Sequence, residues 1–218
     1  MQKVKEVCIR GRLIGSTLVL LFLKTISGQQ TLELTRNPNG GPCPGGRGIA
    51  EVDVLTVYSL ENMIAASDLI VYGVVSSVPP AILSDSRDPS GTETNSVVVV
   101  RERLYGTLPP NVSSFLLAQA GGTVGPCSLV VDGDPLPKVN EEYVLFLKTD
   151  KRPNPPAKPM NLPRYFAMSV WSGKAKIVDG RIQFPKKANL GLHKHDNTEA
   201  AAFITLVKQR IGVIFPQK

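Results

Sequence analysis

Apolar residues in this chain occur mainly as short runs separated by glycine, proline and other turn-forming residues, which is typical of a β-rich domain. The run from Leu69 to Val78 predicts the first strand, and Gly73 in its middle predicts a bulge or a tight bend. The stretches SVVVVRERLYG, VSSFLLAQAGG and SLVVDGDP predict three further strands, the last of them short. NEEYVLFLKT is apolar on both faces from Tyr143 to Leu147, which predicts a central strand covered on both sides.

The second half of the chain continues this pattern and adds a hairpin. YFAMSVW predicts a strand, and KAKIVDGRIQF holds two alternating segments around Asp179–Gly180, a strong β-hairpin signal. PPAILSDSRDPSGTETN shows no periodicity and predicts a long exposed loop. RPNPPAKPMNLP contains five prolines and predicts a second, extended excursion from the sheet, because proline cannot donate to a ladder.

Two segments have helical spacing instead. Ser59 is a suitable N-cap for a short helix that ends around residues 67–68. DNTEAAAFITLVKQRIG predicts a C-terminal helix capped by Asp196 or Asn197 and stopped by Gly212. Its apolar face consists of Phe203, Val207 and Ile211.

Short strands, a bend-marking glycine and two capping helices together predict a mostly β fold, a small, curled, antiparallel barrel. We place this domain at residues 57–218. A polar, Gly/Pro-rich segment precedes it at residues 29–56 and is expected to be flexible unless Cys43 fixes it.

The first 28 residues have the pattern of a secretory signal peptide. MQKVKEVCIRGR supplies a positive region, LIGSTLVLLFL an apolar stretch of eleven residues, and Gly28 a small residue before the cleavage point. Eleven helical residues cross roughly half of a bilayer's hydrocarbon core. We therefore expect a secreted or envelope-exposed protein, although Lys24 directly after the apolar stretch is also compatible with a retained anchor at residues 13–23.

The net charge of +7 belongs largely to this leader. Residues 1–28 hold five basic residues and one acid, so the rest of the chain has 25 − 5 = 20 basic against 18 − 1 = 17 acidic residues, or +3. No later basic run is interleaved with aromatic residues, as a nucleic-acid site would require. The charge pattern therefore does not predict nucleic-acid binding.

Cleavage of the leader removes Cys8 and leaves Cys43 and Cys127, each in a Gly/Pro-rich stretch. In an oxidising compartment, two remaining cysteines predict one disulfide. Two independent thiols are the alternative.

Both histidines lie in GLHKHDN, where His193, His195 and Asp196 suggest a metal site. Zinc needs three or four protein ligands, and the sequence positions no further His, Cys or Glu beside these residues. We interpret the stretch as the polar entry to the C-terminal helix, and we predict neither a metal nor a cofactor.

A second alternative takes Cys127 as a nucleophile and His193 or His195 as its base, which would make the protein a secreted cysteine-dependent hydrolase. A disulfide between Cys43 and Cys127 would consume the Cys127 thiol and exclude this alternative.

Several carboxylates are adjacent in sequence without forming a recognised motif. DGDP at residues 132–135 and DSRDPSG at residues 85–91 lack the spaced ligand series of a calcium loop, so Asx-type turns explain them as well. Glu141 and Glu142 would point to opposite faces of a strand and do not form an acid/base pair. Asn111 begins a glycosylation sequon, which matters only in a host that glycosylates.

Aromatic and basic residues on the strands are the remaining functional candidates. Tyr105, Tyr165 and Trp171 fit either a binding face or the core, and the core is the more ordinary place for them. Arg101 and Arg103 are expected to face solvent.

The segments SLENMIAASDLIVYGVVSSV, VVVVRERLYGTLPPNV, AQAGG and NEEYVLFL, followed by the late DG hairpin, resemble a class of small secreted bacterial proteins of unknown function. The resemblance covers roughly Ser59 to Ile211. It implies a barrel of the oligonucleotide/oligosaccharide-binding (OB) type, similar to the netrin-like domain of tissue inhibitors of metalloproteinases. Those inhibitors use a mature N-terminal cysteine to chelate the protease zinc, whereas cleavage here would expose Gln29.

The sequence thus predicts a non-catalytic, secreted or envelope-exposed β-barrel that binds another macromolecule, such as a protein. This expectation rests on fold analogy and on the lack of a catalytic motif. The alternatives are the Cys127 hydrolase and a membrane-anchored structural protein that retains residues 13–23.

Overall fold

The structure is a computed structural model that describes residues 47–50, 59–85, 88–125, 127–152, 156, 158–169 and 171–216. Side chains at residues 47–50, 84–85, 88–91 and 127 are not part of this description. The predicted signal peptide and Cys43 lie outside the described residues, as does most of the segment predicted to be flexible.

The described chain contains these strands and helices: β1 Arg47–Ala50, α1 Leu60–Ala66, β2 Leu69–Ser77, β3 Ile82–Asp85, β4 Asp88–Tyr105, β5 Ser114–Ala120, β6 Gly122–Val124, β7 Cys127–Val131, β8 Glu142–Thr149, β9 Arg164–Ala167, β10 Lys174–Val178, β11 Arg181–Gln183, α2 Leu190–His193 and α3 Ala200–Ile214. No helix among these residues is long and apolar enough to cross a membrane.

A closed five-stranded barrel forms the centre of the domain, and this confirms the predicted mostly β, OB-like fold. The strands follow one another around the barrel in the order β2, β4, β5, β9 and β8, and the β8–β2 pairing closes it. Four of the five pairings are antiparallel, as predicted. The pairing of β5 with β9 is parallel. Parallel neighbours need a long crossover, which here runs through β8 and the proline-rich stretch after it.

Gly73 occupies a bulge in β2, as its position in the apolar run predicted. The register between β2 and β4 shifts between Tyr72 and Gly73. A Cβ at residue 73 would lie 2.8 Å from Val98 Cγ1 and 2.9 Å from the Val99 carbonyl oxygen. Only glycine therefore lets the two strands approach this closely and bend around the barrel.

The prediction of a long exposed loop before the second strand is wrong. Residues 82–85 form β3, and β4 begins at Asp88, so the segment is a hairpin instead. Residues 92–96 of β4 are buried although all five are polar. Because their side chains are polar on both faces, the segment lacks the alternation by which a strand is usually recognised.

A second, three-stranded sheet has the order β1–β7–β6. Strand β7 fits the short strand predicted from SLVVDGDP. The sequence did not indicate β6, and β1 lies inside the segment predicted to be flexible, where residues 47–50 pair in parallel with residues 128–131. Because β1 pairs with a strand some eighty residues later, no local pattern could have revealed it.

Two apolar cores lie on opposite sides of the barrel wall. Leu69, Val71 and Leu145 belong to the interior core, to which all five barrel strands contribute. Ile70 and Val144, their neighbours in sequence, belong to an outer core that packs against the helices. Strand β8 therefore buries both faces, as its continuous apolar run predicted.

Helix α1 begins as predicted, with the Ser59 hydroxyl accepting a hydrogen bond from the Asn62 amide at 3.1 Å. The predicted cap of α3 is wrong, because the N-cap residue is Glu199, whose side chain makes no capping bond. Residues 197–199 instead run beside β11, so that Ile182 bonds to both Asn197 and Thr198. Gly212 does not stop α3, which continues to Ile214.

Candidate functional site

The outer face of β4, β5 and β9 carries a group of charged and polar side chains. Asn95 of β4 lies opposite Ala118 of β5, which lies opposite Phe166 of β9. Directly paired residues point to the same side of a sheet, and so do residues two apart on one strand. Glu93 and Arg164 therefore project from the same face as Asn95. We call the set Glu93, Asn95, Asp150, Arg152 and Arg164 the Arg164 cluster.

Arg152 holds both carboxylates of this cluster. Its Nη1 donates to Glu93 Oε2 at 2.7 Å, while Nη2 and Nε donate to the two oxygens of Asp150 at 2.9 and 3.0 Å. The side chains of Glu93 and Asp150 are both only 4% exposed, whereas that of Arg152 is 33% exposed. The guanidinium also lies 4.6 Å from the centre of the Phe166 ring, a cation–π contact.

Electrostatics keep Arg152 and Asp150 ionised. Burial by itself raises the pKa of Asp150, but the hydrogen bonds and charge of Arg152, together with the charge of Arg164, outweigh it and leave that pKa below its usual value. Burial by itself lowers the pKa of Arg152, and the hydrogen bonds and charges of Asp150 and Glu93 more than compensate and raise it. Both carboxylates are committed to arginines, so this pair is suited to charged hydrogen bonding rather than to acid/base catalysis.

Arg164 is buried but only partly bonded. Its side chain is 1% exposed, and Nη1 donates to the carbonyl oxygen of Pro156 at 2.9 Å. The same Nη1 lies 3.5 Å from Asp150 Oδ2 and 3.8 Å from Glu93 Oε1. Its Nε and Nη2 have no hydrogen-bond partner among the residues that the structure describes. Asn95 donates to Glu93 Oε1 at 3.0 Å, and its Oδ1 is likewise unpartnered there.

The cluster attaches the segment between β8 and β9 to the barrel wall. Asp150 and Arg152 follow β8, Arg164 begins β9, and Pro156 accepts a bond from Arg164. Residues 158–161 of this segment are exposed, including Met160. Buried ionic contacts therefore position an exposed loop beside the β4–β5–β9 face.

His193 ends α2 and His195 follows it in the turn before α3, so the stretch predicted as the entry to the C-terminal helix also contains a short helix of its own. His193 Nδ1 is 2.7 Å from Asp196 Oδ2, and Asp196 Oδ1 accepts a bond from the Phe184 amide. The His195 ring lies 5.6 Å from that of Phe203. Among the described residues, no group of three or more His, Cys, Asp or Glu side chains could hold a metal ion.

The cysteine predictions lie largely outside the described residues. Cys127 is the first residue of β7, and its backbone pairs with that of Val124. Its side chain is not described, and Cys43 lies outside the described residues. The disulfide and the nucleophile are therefore both still predictions.

Where their side chains are described, the carboxylates considered as calcium ligands form ion pairs with lysines instead. Asp132 pairs with Lys187 at 2.6 Å, and Asp134 forms a buried ion pair with Lys174. In the DSRDPSG stretch, Asp85 ends β3 and Asp88 begins β4, and the side chains of both residues are outside the description.

Glu141 and Glu142 bind different partners, in keeping with the prediction that they do not act as a pair. Glu141 accepts from Lys176 and from the Tyr143 hydroxyl, both at 2.6 Å. Glu142 accepts from the Tyr72 hydroxyl at 3.0 Å.

The three aromatic candidates serve mainly in packing. Tyr165 packs edge-on against Phe115, and the buried Trp171 donates to the carbonyl oxygen of Asp132 at 3.0 Å. Tyr105 stacks on Phe215 with ring centres 4.4 Å apart.

Arg101 and Arg103 are exposed, as predicted. Arg103 lines an open cleft of about 440 Å³ beneath the β4–β5 turn, with Val100 and residues 108–113. Asn111 of the sequon is exposed in this turn and has a φ of 61°.

Sequence reasoning missed every member of the Arg164 cluster. Glu93 and Asn95 lie in a stretch interpreted as a loop, Arg152 begins the proline-rich excursion, and Asp150 and Arg164 lie on either side of it. The one usable signal was the spacing of Glu93 and Asn95 two residues apart, directly before the apolar run SVVVV. It would have extended the strand and placed both side chains on one face.

Comparisons with known proteins add no functional information. No family model, no curated protein and no solved structure matches this chain. The similarity to netrin-like domains therefore stays a prediction, and the fold itself is established as a closed, OB-like five-stranded barrel with helices at residues 60–66 and 200–214.

Proposed function

We propose that this protein is a non-catalytic, secreted or envelope-exposed binding module that recognises another macromolecule, a protein, through the β4–β5–β9 face and the adjoining loop. OB-like barrels commonly bind ligands on one strand face and the loops at its rim. That argument is an analogy at the level of fold, so the main support for the proposal is the geometry of the site.

The strongest support is the way in which Arg152 fixes the loop. Its guanidinium makes three hydrogen bonds of 2.7–3.0 Å to two buried carboxylates, one from the barrel wall and one from the end of β8. A loop held in advance loses little conformational entropy when a partner binds, which favours affinity. Buried charge is costly in an ordinary surface loop, so a network of this kind is consistent with selection for a fixed loop geometry.

A photo-crosslinking experiment tests this function. A benzophenone amino acid replaces Met160 in the loop or, as a control, Val213 of α3, which is also apolar and is more exposed than Met160. We expect a discrete macromolecular adduct from position 160 in the native host, none from position 213, and loss of the adduct when Arg152→Ala releases the loop. Equal adducts from both positions, or no adduct from position 160, would contradict the proposal.

A further inference from the structure

We infer that the open cleft beneath the β4–β5 turn binds the C-terminal carboxylate of a protein partner whose last residue is apolar. Arg103 receives the carboxylate, while Val100 and Leu108 contact the apolar side chain. This cleft is a second surface of the molecule, because none of its lining residues belongs to the Arg164 cluster.

The bulge at Gly73 places Arg103 on the same side of the barrel wall as Val100. Residues three apart on a regular strand point to opposite faces. Here Val100 lies opposite Gly73. Arg103 lies opposite Val71, only two positions away on β2, so β4 holds one extra residue between them. Val71 is buried in the interior core, and Val100 packs against that core. Arg103 therefore lies on the interior side of the wall, close to apolar side chains.

The other wall of the cleft is a turn whose backbone is held in place. The Val112 amide donates to the carbonyl oxygen of Pro109 at 3.2 Å. The Val100 amide donates to the carbonyl oxygen of Ser113 at 2.8 Å, and Leu108 packs against the interior core. The cleft encloses about 440 Å³, within the range of known ligand sites. Because its walls are fixed in advance, binding costs little conformational entropy.

The charge of Arg103 favours an anionic ligand. Its side chain is exposed, and its guanidinium forms no ion pair with any residue that the structure describes. No Asp or Glu is among the described residues that line the cleft. The carboxylate next to it in sequence, that of Glu102, pairs instead with Lys208 of α3. The guanidinium is therefore available to hold a carboxylate through two parallel hydrogen bonds.

The open shape of the cleft favours the end of a chain over a free organic acid. A site for a free small molecule usually buries most of its ligand, whereas this cleft is open to solvent. A C-terminal residue can place its carboxylate and side chain inside while the rest of the partner continues outward. Asn111 and Ser113 are exposed among the lining residues and can hydrogen-bond to the last peptide groups.

NMR titration of the full chain with matched peptides tests this site. The probes are N-acetyl-Gly-Ser-Val with a free C-terminal carboxylate, its C-terminal amide, N-acetyl-Gly-Ser-Gly with a free carboxylate, and isovalerate, all at constant pH and ionic strength. The signals are the Val100 and Ser113 amides and the Arg103 Nε–H. We expect a saturable shift with the Val acid, and at least about tenfold weaker binding of the other three probes, because each lacks one part of the ligand.

Two variants separate Arg103 from general positive charge. Arg103→Gln removes the guanidinium and should weaken binding of the Val acid by at least about tenfold. Arg101→Gln removes an exposed arginine of the same strand that does not line the cleft, and it should bind as the wild type does. If Arg103→Gln fails to fold, the comparison of the acid with the amide on the wild-type protein decides.

Equal binding of the Val acid and its amide, or an equal loss in both variants, would overturn the carboxylate site. Isovalerate that binds as tightly as the Val acid would overturn the chain end as the ligand and assign the cleft to a free organic acid. Because Met160 does not line this cleft, the crosslinking result at position 160 and the titration can fail independently of each other.

Discussion

Lys174 and Asp134 form an ion pair that is almost completely removed from water. Their side chains are 5% and 2% exposed, and the pair joins β10 to the turn that follows β7. Burial raises the pKa of Asp134 and lowers that of Lys174, while the attraction between the two charges opposes both shifts. The loss of hydration is thus the larger effect, and each charge depends on the other to remain inside.

Replacing one member of this pair should cost more than replacing both. Asp134→Asn leaves a buried ammonium without a counter-charge and should lower the free energy of unfolding by about 3–5 kcal/mol. The double variant Asp134→Asn/Lys174→Met should be clearly more stable than the sum of the two single changes predicts. Urea unfolding of the four proteins measures the coupling, and simple additivity would show that the pair is not a unit.

His195 makes stability depend on pH in a predictable direction. Burial, followed by the charge of Lys194, lowers its pKa, Glu61 and Asp196 act in the opposite sense, and Arg210 adds to the lowering. Because the unfolded chain then binds a proton at higher pH than the folded one, this residue favours folding above the ordinary histidine pKa of about 6.5 and opposes it below.

We therefore expect the free energy of unfolding to fall between about pH 7 and pH 5, with part of that fall absent in His195→Gln. Urea unfolding at several pH values measures it, with His193→Gln as the control at the neighbouring ring. An identical pH slope in the wild type and in His195→Gln would contradict the assignment.

At the level of the elements, helix α3 shows that the burial of a side chain, rather than its residue type, determines how much it stabilises the fold. Its residues Phe203 and Val207 are fully buried in the outer core, while Val213 near its end is 74% exposed. Phe203 also packs edge-on against Phe184, which follows β11. The helix therefore seals the outside of the barrel wall along one face only.

The same substitution on the two faces of α3 should have very different effects. Val207→Ala removes two methyl groups from the core and leaves a small cavity, so it should cost about 1–3 kcal/mol. Val213→Ala should change the free energy of unfolding by less than about 0.5 kcal/mol. Thermal and urea unfolding compare them, and equal losses would mean that α3 packs differently.

For the molecule as a whole, ion pairs between distant segments are of two kinds, exposed and buried. The contact between Lys148 and Asp68 is exposed, and the Arg152 network is buried. Lys148 and Asp68 have side chains that are 46% and 29% exposed, and they meet at 2.9 Å. Arg152 joins two carboxylates that are each 4% exposed. Water screens the first contact and largely fails to reach the second.

Arg152→Ala should therefore destabilise the fold by on the order of 3 kcal/mol, because two buried carboxylates lose their partner. Lys148→Ala, the matched control, should cost about 0–1 kcal/mol. Since the pKa of Asp150 is held below its usual value, its contribution is present above that value and disappears as the pH falls through the folded pKa. Urea unfolding at neutral and acid pH should show the difference between the variants shrinking in acid, and a constant difference would contradict the assignment.

The local sequence pattern was sufficient to predict the strands and turns whose apolar residues alternate or form a continuous run. Leu69–Ser77, Glu142–Thr149 and the hairpin around Asp179–Gly180 formed as predicted, because side-chain period and turn chemistry act over a few neighbouring residues. The short helix from Leu60 likewise followed from its cap. These elements, together with the two flanking helices, were enough to predict a curled barrel.

Packing between distant segments established the rest. The burial of residues 92–96, the parallel pairing of β5 with β9 and the pairing of β1 with β7 all depend on partners far away in the chain. The Arg164 cluster is assembled from β4, the end of β8 and the start of β9, and its β4 residues lie more than fifty positions before the others. A polar side chain reveals nothing in the sequence about whether a counter-charge will meet it, and only the closed barrel brings Glu93 beneath Arg152.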